Sequence, residues 1–336
     1  MDGPTTSRHK VVFLIATVAT IFWGIIGFID APNRGHGGFQ YYSPDYLVQH
    51  VERDGPADLA GLKVGDRMRT VKGIPVEELP LYSRWPLSVQ PRAGQSLRIE
   101  VERDGRTVPV DVTYTGRPVR MLHVGGALIG LAFMICGLWS LFAVDSSHAR
   151  MLAGVCLAAG LGIFAGGGPY LGSWDGVPAH VSAASMMLFV LLLLRFFLAF
   201  PEPGRLSRSR IVTGVIYAPL GLFIICLILE LIFHPRLYNA FGVAASLVNV
   251  LYGLLALIAF ISALILQRKK IAPTGLGLVL IGVIVAVAPT IVAMLGFSFR
   301  WALPGSNYYA LALAAFPVFL VLAVRKQAQT AQAQMA

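Results

Sequence analysis

Glu230 and His234 stand four residues apart, one turn of a helix, at the end of a long apolar run. A carboxylate and an imidazole at that spacing share one helix face and make a proton- or cation-sensitive pair. At the outer end of a span the same two residues also read, more simply, as side chains at the wet boundary. Asn249, in the next apolar run, can hydrogen-bond across helices. These three residues are the candidate intramembrane polar site. Hydrolytic chemistry finds no matching frame. A zinc hydrolase on a helix needs His-Glu-x-x-His, and none of the seven histidines is followed by a glutamate. A serine nucleophile needs a Gly-x-Ser-x-Gly-like turn and a histidine in the membrane; Gly172-Ser173 and Gly305-Ser306 lack that frame. An aspartyl site of the Gly-x-Gly-Asp kind needs two membrane aspartates, whereas Asp145 and Asp175 fall in loops and Val64-Gly65-Asp66 lies in a polar stretch. Arg195 sits near the inner end of its span, where its stem can snorkel, and His123 begins its span. Cys136, Cys156 and Cys226 lie in apolar runs without CxxC or CxxH spacing and read as small hydrophobes. The expectation is a protein with no catalytic residue, no metal ligand set and no cofactor.

The elements that position these residues follow from composition. Of 336 residues, 56% are hydrophobic and 13% charged, with a mean hydropathy of +0.69; soluble domains carry about 25% charge. An ordinary cytosolic enzyme, a disordered chain and a nucleic-acid binder with a basic face are excluded. Apolar runs at 11–29, 121–144, 151–171, 180–200, 211–233, 241–266, 273–296 and 307–324 each have a length close to that of a spanning helix. The fold class is therefore a polytopic all-α membrane bundle of about eight helices, with a polar, mostly β domain inserted after the first. The organisation reads 1–10 N-terminus, 11–29 anchor, 30–120 polar domain, 121–324 seven-helix bundle and 325–336 tail. Gly126-x-x-x-Gly130 and Gly162-x-x-x-Gly166 have the spacing that lets helices pack closely.

The net charge of +10 reads as topology. With the N-terminus inside, the short inside segments hold 11 Lys and Arg, and the short outside loops hold two, Arg236 and Arg300. That asymmetry orients both termini to the cytoplasm and places 30–120 outside the inner membrane, in the periplasm or cell exterior of a bacterium. The first run follows Arg8-His9-Lys10, exceeds the usual length of a signal-peptide core and ends without a small-x-small cleavage site. It reads as an uncleaved anchor.

Strand signals recur within 30–120: 39–42, 46–51, 67–71, 97–101 and 108–112, several alternating apolar with polar. Asp104-Gly105 between the last two is a hairpin-turn dipeptide. Charge is nearly balanced, with 13 Lys/Arg against 12 Asp/Glu, so no basic patch faces phosphates.

Within this stretch, Gly55-Pro56-Ala57, Ala60-Gly61-Leu62, Gly65-Asp66 and the Gly73 turn follow one another at the order and spacing of a bacterial PDZ domain, which 38–113 resembles. The resemblance implies that an extended peptide, often a free C-terminus, is added as a strand. It implies a carboxylate-cradling loop at Gly37-Gly38-Phe39, a receiving strand at Gln40-Tyr41 and an opposing helix within 79–89. The sequence departs from the family in lacking a clean Gly-hydrophobic-Gly-hydrophobic loop. Pro80, Pro86 and Pro91 would shorten or kink the helix. A domain that keeps the fold without the ligand stays open.

Phe200-Pro201-Glu202-Pro203 before the basic 205–210 loop, and Ala315-Phe316-Pro317 before Arg325, resemble the seven-helix sensory region of bacterial histidine kinases and PP2C-type phosphatases. Only ten residues follow Lys326, so a sensor of this layout is expected to signal through a separate partner. The expectation is a non-catalytic sensor or scaffold that sits in the lipid bilayer. It would read a peptide or protein segment outside the membrane and relay to a separate kinase or protease; no nucleic acid is involved. A transporter or small-molecule receptor with an accessory PDZ domain is the competing reading.

Overall fold

A computed structural model of the protein describes residues 4–42, 45–78, 91–116, 121–165, 177–233, 238–298 and 306–335. The chain opens with helix α1 (Pro4–Asp30) and a 3-10 turn, Ala31–Asn33. The polar domain follows as β1 (Gly35–His36), β2 (Phe39–Tyr42), β3 (Leu47–Val51), a one-turn helix α2 (Pro56–Leu59), β4 (Arg67–Val71), β5 (Ile74–Pro75), β6 (Ser96–Arg103), β7 (Arg106–Thr113) and β8 (Thr115–Gly116).

The main sheet is antiparallel, in the order β2-β3-β4-β6-β7, with β5 folded back on β4. Its inner face is set by alternation: Leu97, Ile99 and Val101 of β6 and Val110 and Val112 of β7 are buried beside Val48, Met68 and Val71. Turn chemistry fixes the connections. Lys72 and Gly73 both take positive φ between β4 and β5, and Asp104 and Gly105 do so between β6 and β7, the pairing a two-residue hairpin requires. A second, two-stranded sheet joins β1 to β8, pairing Gly35 with Gly116 and His36 with Thr115. Gly35 N–H also donates to Pro91 O at 2.8 Å and Ala93 N–H to Asn33 O at 3.0 Å. The entry and exit of the domain are thus zipped together. A Cβ on Gly116 would stand 2.6 Å from Pro32 O, so that zip requires a glycine.

The helices after the domain are α3 (Met121–Ala143), α4 (Ser147–Ala165), α5 (Val177–Ala199), α6 (Arg210–Phe233), α7 (Tyr238–Leu266), α8 (Leu276–Ser298) and α9 (Ala315–Met335). Among the described residues, seven helices are long and apolar enough to cross a membrane, and one shorter apolar stretch, Leu276–Pro289, lies in α8. That stretch falls within the run read as 273–296. The last run, read as 307–324 with a tail beyond, is a 3-10 segment, Ser306–Ala314, leading into α9. The helix carries on through Arg325 and Lys326 because nothing in that polar sequence breaks it.

Helix α4 lies at the centre, packed between α3 and α5, with α1 and α9 also against it. Its apolar window is 61% buried, whereas those of α6 and α7 are 17% buried; these two form the outer wall. Small residues set the closest approaches. The Phe164 ring of α4 wedges against Gly24 of α1 and Gly130 of α3, where a Cβ on Gly130 would stand 2.9 Å from it. A Cβ on Gly162 would stand 2.9 Å from Met186, while one on Gly126 would meet open space. Of the two small-residue spacings, Gly130 and Gly162 are the contacts; Gly166 lies outside the described residues.

Candidate functional site

The loop between β1 and β2 is built by its neighbours. Gly37 O accepts from Ala57 N–H at 2.9 Å, where Pro56 has opened α2, and Gly38 O accepts from Glu52 N–H at 2.7 Å. Gly38 has φ +70°, a conformation glycine adopts without penalty. The Glu52–Gly38 bond makes Phe39 and Val51, which face each other, a non-hydrogen-bonded pair. The N–H and C=O of Phe39 therefore point away from β3. On that side β2 has no strand partner among the described residues. The result is an open sheet edge that begins at a glycine loop whose carbonyls are already engaged.

Behind the edge lies a cavity of about 50 Å³. Phe39 and Tyr41 flank it from β2, Met68, Val71, Leu97 and Ile99 floor it, and Tyr114 and the His36-Gly37-Gly38 loop close its end. The Phe39 and Tyr41 rings stack at 6.2 Å. A Cβ on Gly37 would stand 2.8 Å from the Phe39 ring and 2.9 Å from that of Tyr114, so the glycine lets both rings fold over the loop. Burial, then the neighbouring Tyr46, pushes the Tyr41 phenol up to about 12. Burial, then Tyr41, raises Tyr114 also. Both are neutral at physiological pH, and the lining mixes apolar side chains with polar groups of the tyrosines, His36 and the glycine loop.

At the rim, His36 Nε2 meets Glu52 Oε2 at 2.6 Å. That oxygen lies 3.5 Å from where a Gly38 Cβ would stand. A carboxylate therefore borders the loop. Neither residue stood out in the sequence: they are 16 positions apart, and only the β2–β3 pairing brings them together.

Of the residues expected at the loop and receiving strand, Gly37, Gly38, Phe39 and Tyr41 line this cavity. Gln40 lies on the other face of the strand and is exposed. The opposing helix expected within 79–89 lies outside the described residues. So do His234 and the side chain of Glu230. Asn249 lies on α7, and its Oδ1 is buried without a hydrogen-bond partner among the described residues. No group of three or more His, Cys, Asp or Glu that could hold a metal ion occurs among the described residues.

Comparison with known proteins agrees with this architecture. Residues 28–114 match the family model described as PDZ domain, and this part of the chain is a PDZ domain. A protein of Neisseria meningitidis serogroup A, named as a candidate zinc metalloprotease, is 29% identical over 100 residues. The match covers 30% of this chain and 21% of that protein, so it spans about a fifth of the relative's length.

Proposed function

We propose that the protein is a membrane-held, non-catalytic reader of extended peptide segments, which enter as an extra strand on the open edge of β2. One observation carries this reading: the outward-facing backbone of Phe39 begins beside a glycine loop and a small cavity of about 50 Å³ with an aliphatic and aromatic floor. Backbone bonding would supply affinity and the cavity selectivity. A volume a few times the roughly 10–15 Å³ that admits one water suits a small aliphatic side chain such as Ala or Val. The test is binding of a random peptide library to the full chain in nanodiscs. Enrichment of small aliphatic residues at the position nearest the loop supports the reading, and no enrichment at high micromolar protein removes it.

The zipped stems suggest how occupancy is passed on. The loop follows β1 directly, and β1 follows α1 through a single 3-10 turn. A ligand strand at β2, which starts at Phe39, would sit nine residues from Asp30, the end of a helix that packs on α3 and α4. The reading therefore includes relay, as in the sensory regions this layout resembles, to a separate partner such as a kinase or protease. The charge asymmetry of the loops supports an inner-membrane protein with cytoplasmic termini and the PDZ domain outside.

Asn249 Oδ1, buried without a hydrogen-bond partner among the described residues, favours a second reading, a transporter or small-molecule receptor with an accessory PDZ domain. Flux or ligand binding that is lost in Asn249→Ala would establish it; a pure reader shows neither.

A further inference from the structure

We propose that the end of the bundle where α5 and α7 stop and α6 begins carries a seat for the phosphate headgroup of an anionic phospholipid. Two short connections frame it. One runs from Pro201 to the start of α6 through a one-turn helix, Arg205–Arg208, and the other follows α7 as the 3-10 turn Arg268–Lys270. They emerge at one end because α5, just before its own end, is held against both neighbouring helices. Arg195 lies over the Tyr217 ring of α6 at 5.7 Å, and the Phe197 ring meets that of Phe260 of α7 at 5.1 Å. The polar tail of α9 then ties the two connections together, Gln327 Nε2 donating to Pro201 O and Thr330 Oγ1 to Pro273 O.

The chemistry of these connections fits that ligand in two ways. Positions 201–211 and 267–276 hold six cations and a single acid, Glu202, a net charge of +5. Arg205, Arg208, Arg210, Arg268 and Lys269 are exposed, and none is ion-paired with an acid among the described residues. Apolar side chains stand one or two positions from these cations: Leu206, Ile211 and Leu266 are 60%, 79% and 82% exposed. Such side chains gain by burial in hydrocarbon, and the cations gain from an anionic headgroup. A phospholipid supplies both groups in one molecule, whereas a free phosphate leaves the leucines and the isoleucine bare. The helices that rise from this end, α6 and α7, form the outer wall of the bundle, so lipid reaches the site without passing through protein.

The experiment uses the full chain in a neutral detergent. Phosphatidylglycerol and phosphatidylcholine of one acyl composition are added in equal amounts, and the lipid retained after gel filtration is counted by native mass spectrometry. The unaltered protein is expected to retain phosphatidylglycerol over phosphatidylcholine by about tenfold or more, the effect of at least two cations beside one headgroup. Arg208→Gln and Lys269→Gln are each expected to lower that ratio about fivefold. Arg208→Lys, which keeps the charge, should leave it in place. Arg53→Gln removes an almost fully exposed cation from the polar domain and should also leave it unchanged. An excess of inorganic phosphate should not displace the lipid. A ratio near one in the unaltered protein, or an equal fall in Arg53→Gln, overturns the proposal, the latter by assigning the preference to net charge. Displacement by inorganic phosphate overturns it in favour of a soluble anion.

Discussion

Arg103 reaches back 37 residues to clasp Asp66, with Nε on Oδ1 at 2.7 Å and Nη2 on Oδ2 at 2.6 Å. Lys63 N–H donates to the same carboxylate at 2.8 Å, and Arg103 Nη2 also donates to Gly61 O at 2.8 Å. Asp66 is 2% exposed, and its hydrogen bonds meet the cost of burial. The contact ties the glycine-bounded turn 61–65, with φ of +85° and +95° at its ends, to the end of β6. It holds α2, and through Ala57 the candidate loop, against the sheet.

Loss of this clasp should loosen the domain in acid. Burial alone would raise the Asp66 carboxyl, but the Arg103 hydrogen bonds, then the Lys63 N–H, outweigh it and hold the group below its ordinary value. A lowered folded pKa means that the contribution is complete above the unfolded value of about 3.9. It is lost as pH falls through the folded one. Hydrogen exchange of 61–66 in the full chain should therefore accelerate below about pH 4. Asp66→Asn should flatten that dependence and Asp66→Ala should cost about 3 kcal/mol at pH 7. An unchanged acid profile in Asp66→Asn would assign the acid transition to another group.

The α1–α3–α4 contact should tolerate no bulk at its glycines. Gly130→Ala and Gly24→Ala each push a Cβ into the Phe164 ring and should destabilise by about 1–3 kcal/mol. Gly126→Ala, whose Cβ meets open space, should be neutral or slightly stabilising by helix propensity. Thermal unfolding in one detergent, compared across the three variants, checks the order.

Much of this was legible in the sequence, and for identifiable reasons. The strands at 39–42, 67–71, 97–101 and 108–112 and the turns at Gly73 and Gly105 emerge where expected, because alternation and positive-φ residues are local signals. The clasp of Arg103 on Asp66, the His36–Glu52 pair and the two-residue zip of β1 to β8 were not legible. Each joins residues that only the folded sheet makes neighbours. Gly126 and Gly130 show the same limit within a helix: the spacing is alike, but only Gly130 meets a partner ring.

The far end of the bundle should be held by α9. Gln327 Nε2 donates to Pro201 O, which follows the end of α5, and Thr330 Oγ1 donates to Pro273 O at 3.1 Å in the turn before α8. One helix thereby pins two connections. Gln327→Ala should cost about 0.5–1.5 kcal/mol and raise hydrogen exchange at 200–206. Thr330→Val, which keeps the shape, should act on 267–274 instead. Exchange that rises in both segments for either variant would show the two connections to be one cooperative unit.

The cavity behind β2 should set ligand size by its floor. Val71 is 2% exposed and lines the cavity with Leu97, so Val71→Ala removes two methyl groups from the floor while keeping the strand. The variant should lose about 2 kcal/mol of domain stability. In the peptide-library measurement its preference at the position nearest the loop should move from Ala or Val toward Leu or Met. Truncating a residue away from the cavity, Val101→Ala on the same strand as Leu97, should cost similar stability without moving the preference. A shift of equal size in both variants would mean that loosening of the sheet, not cavity volume, governs selection.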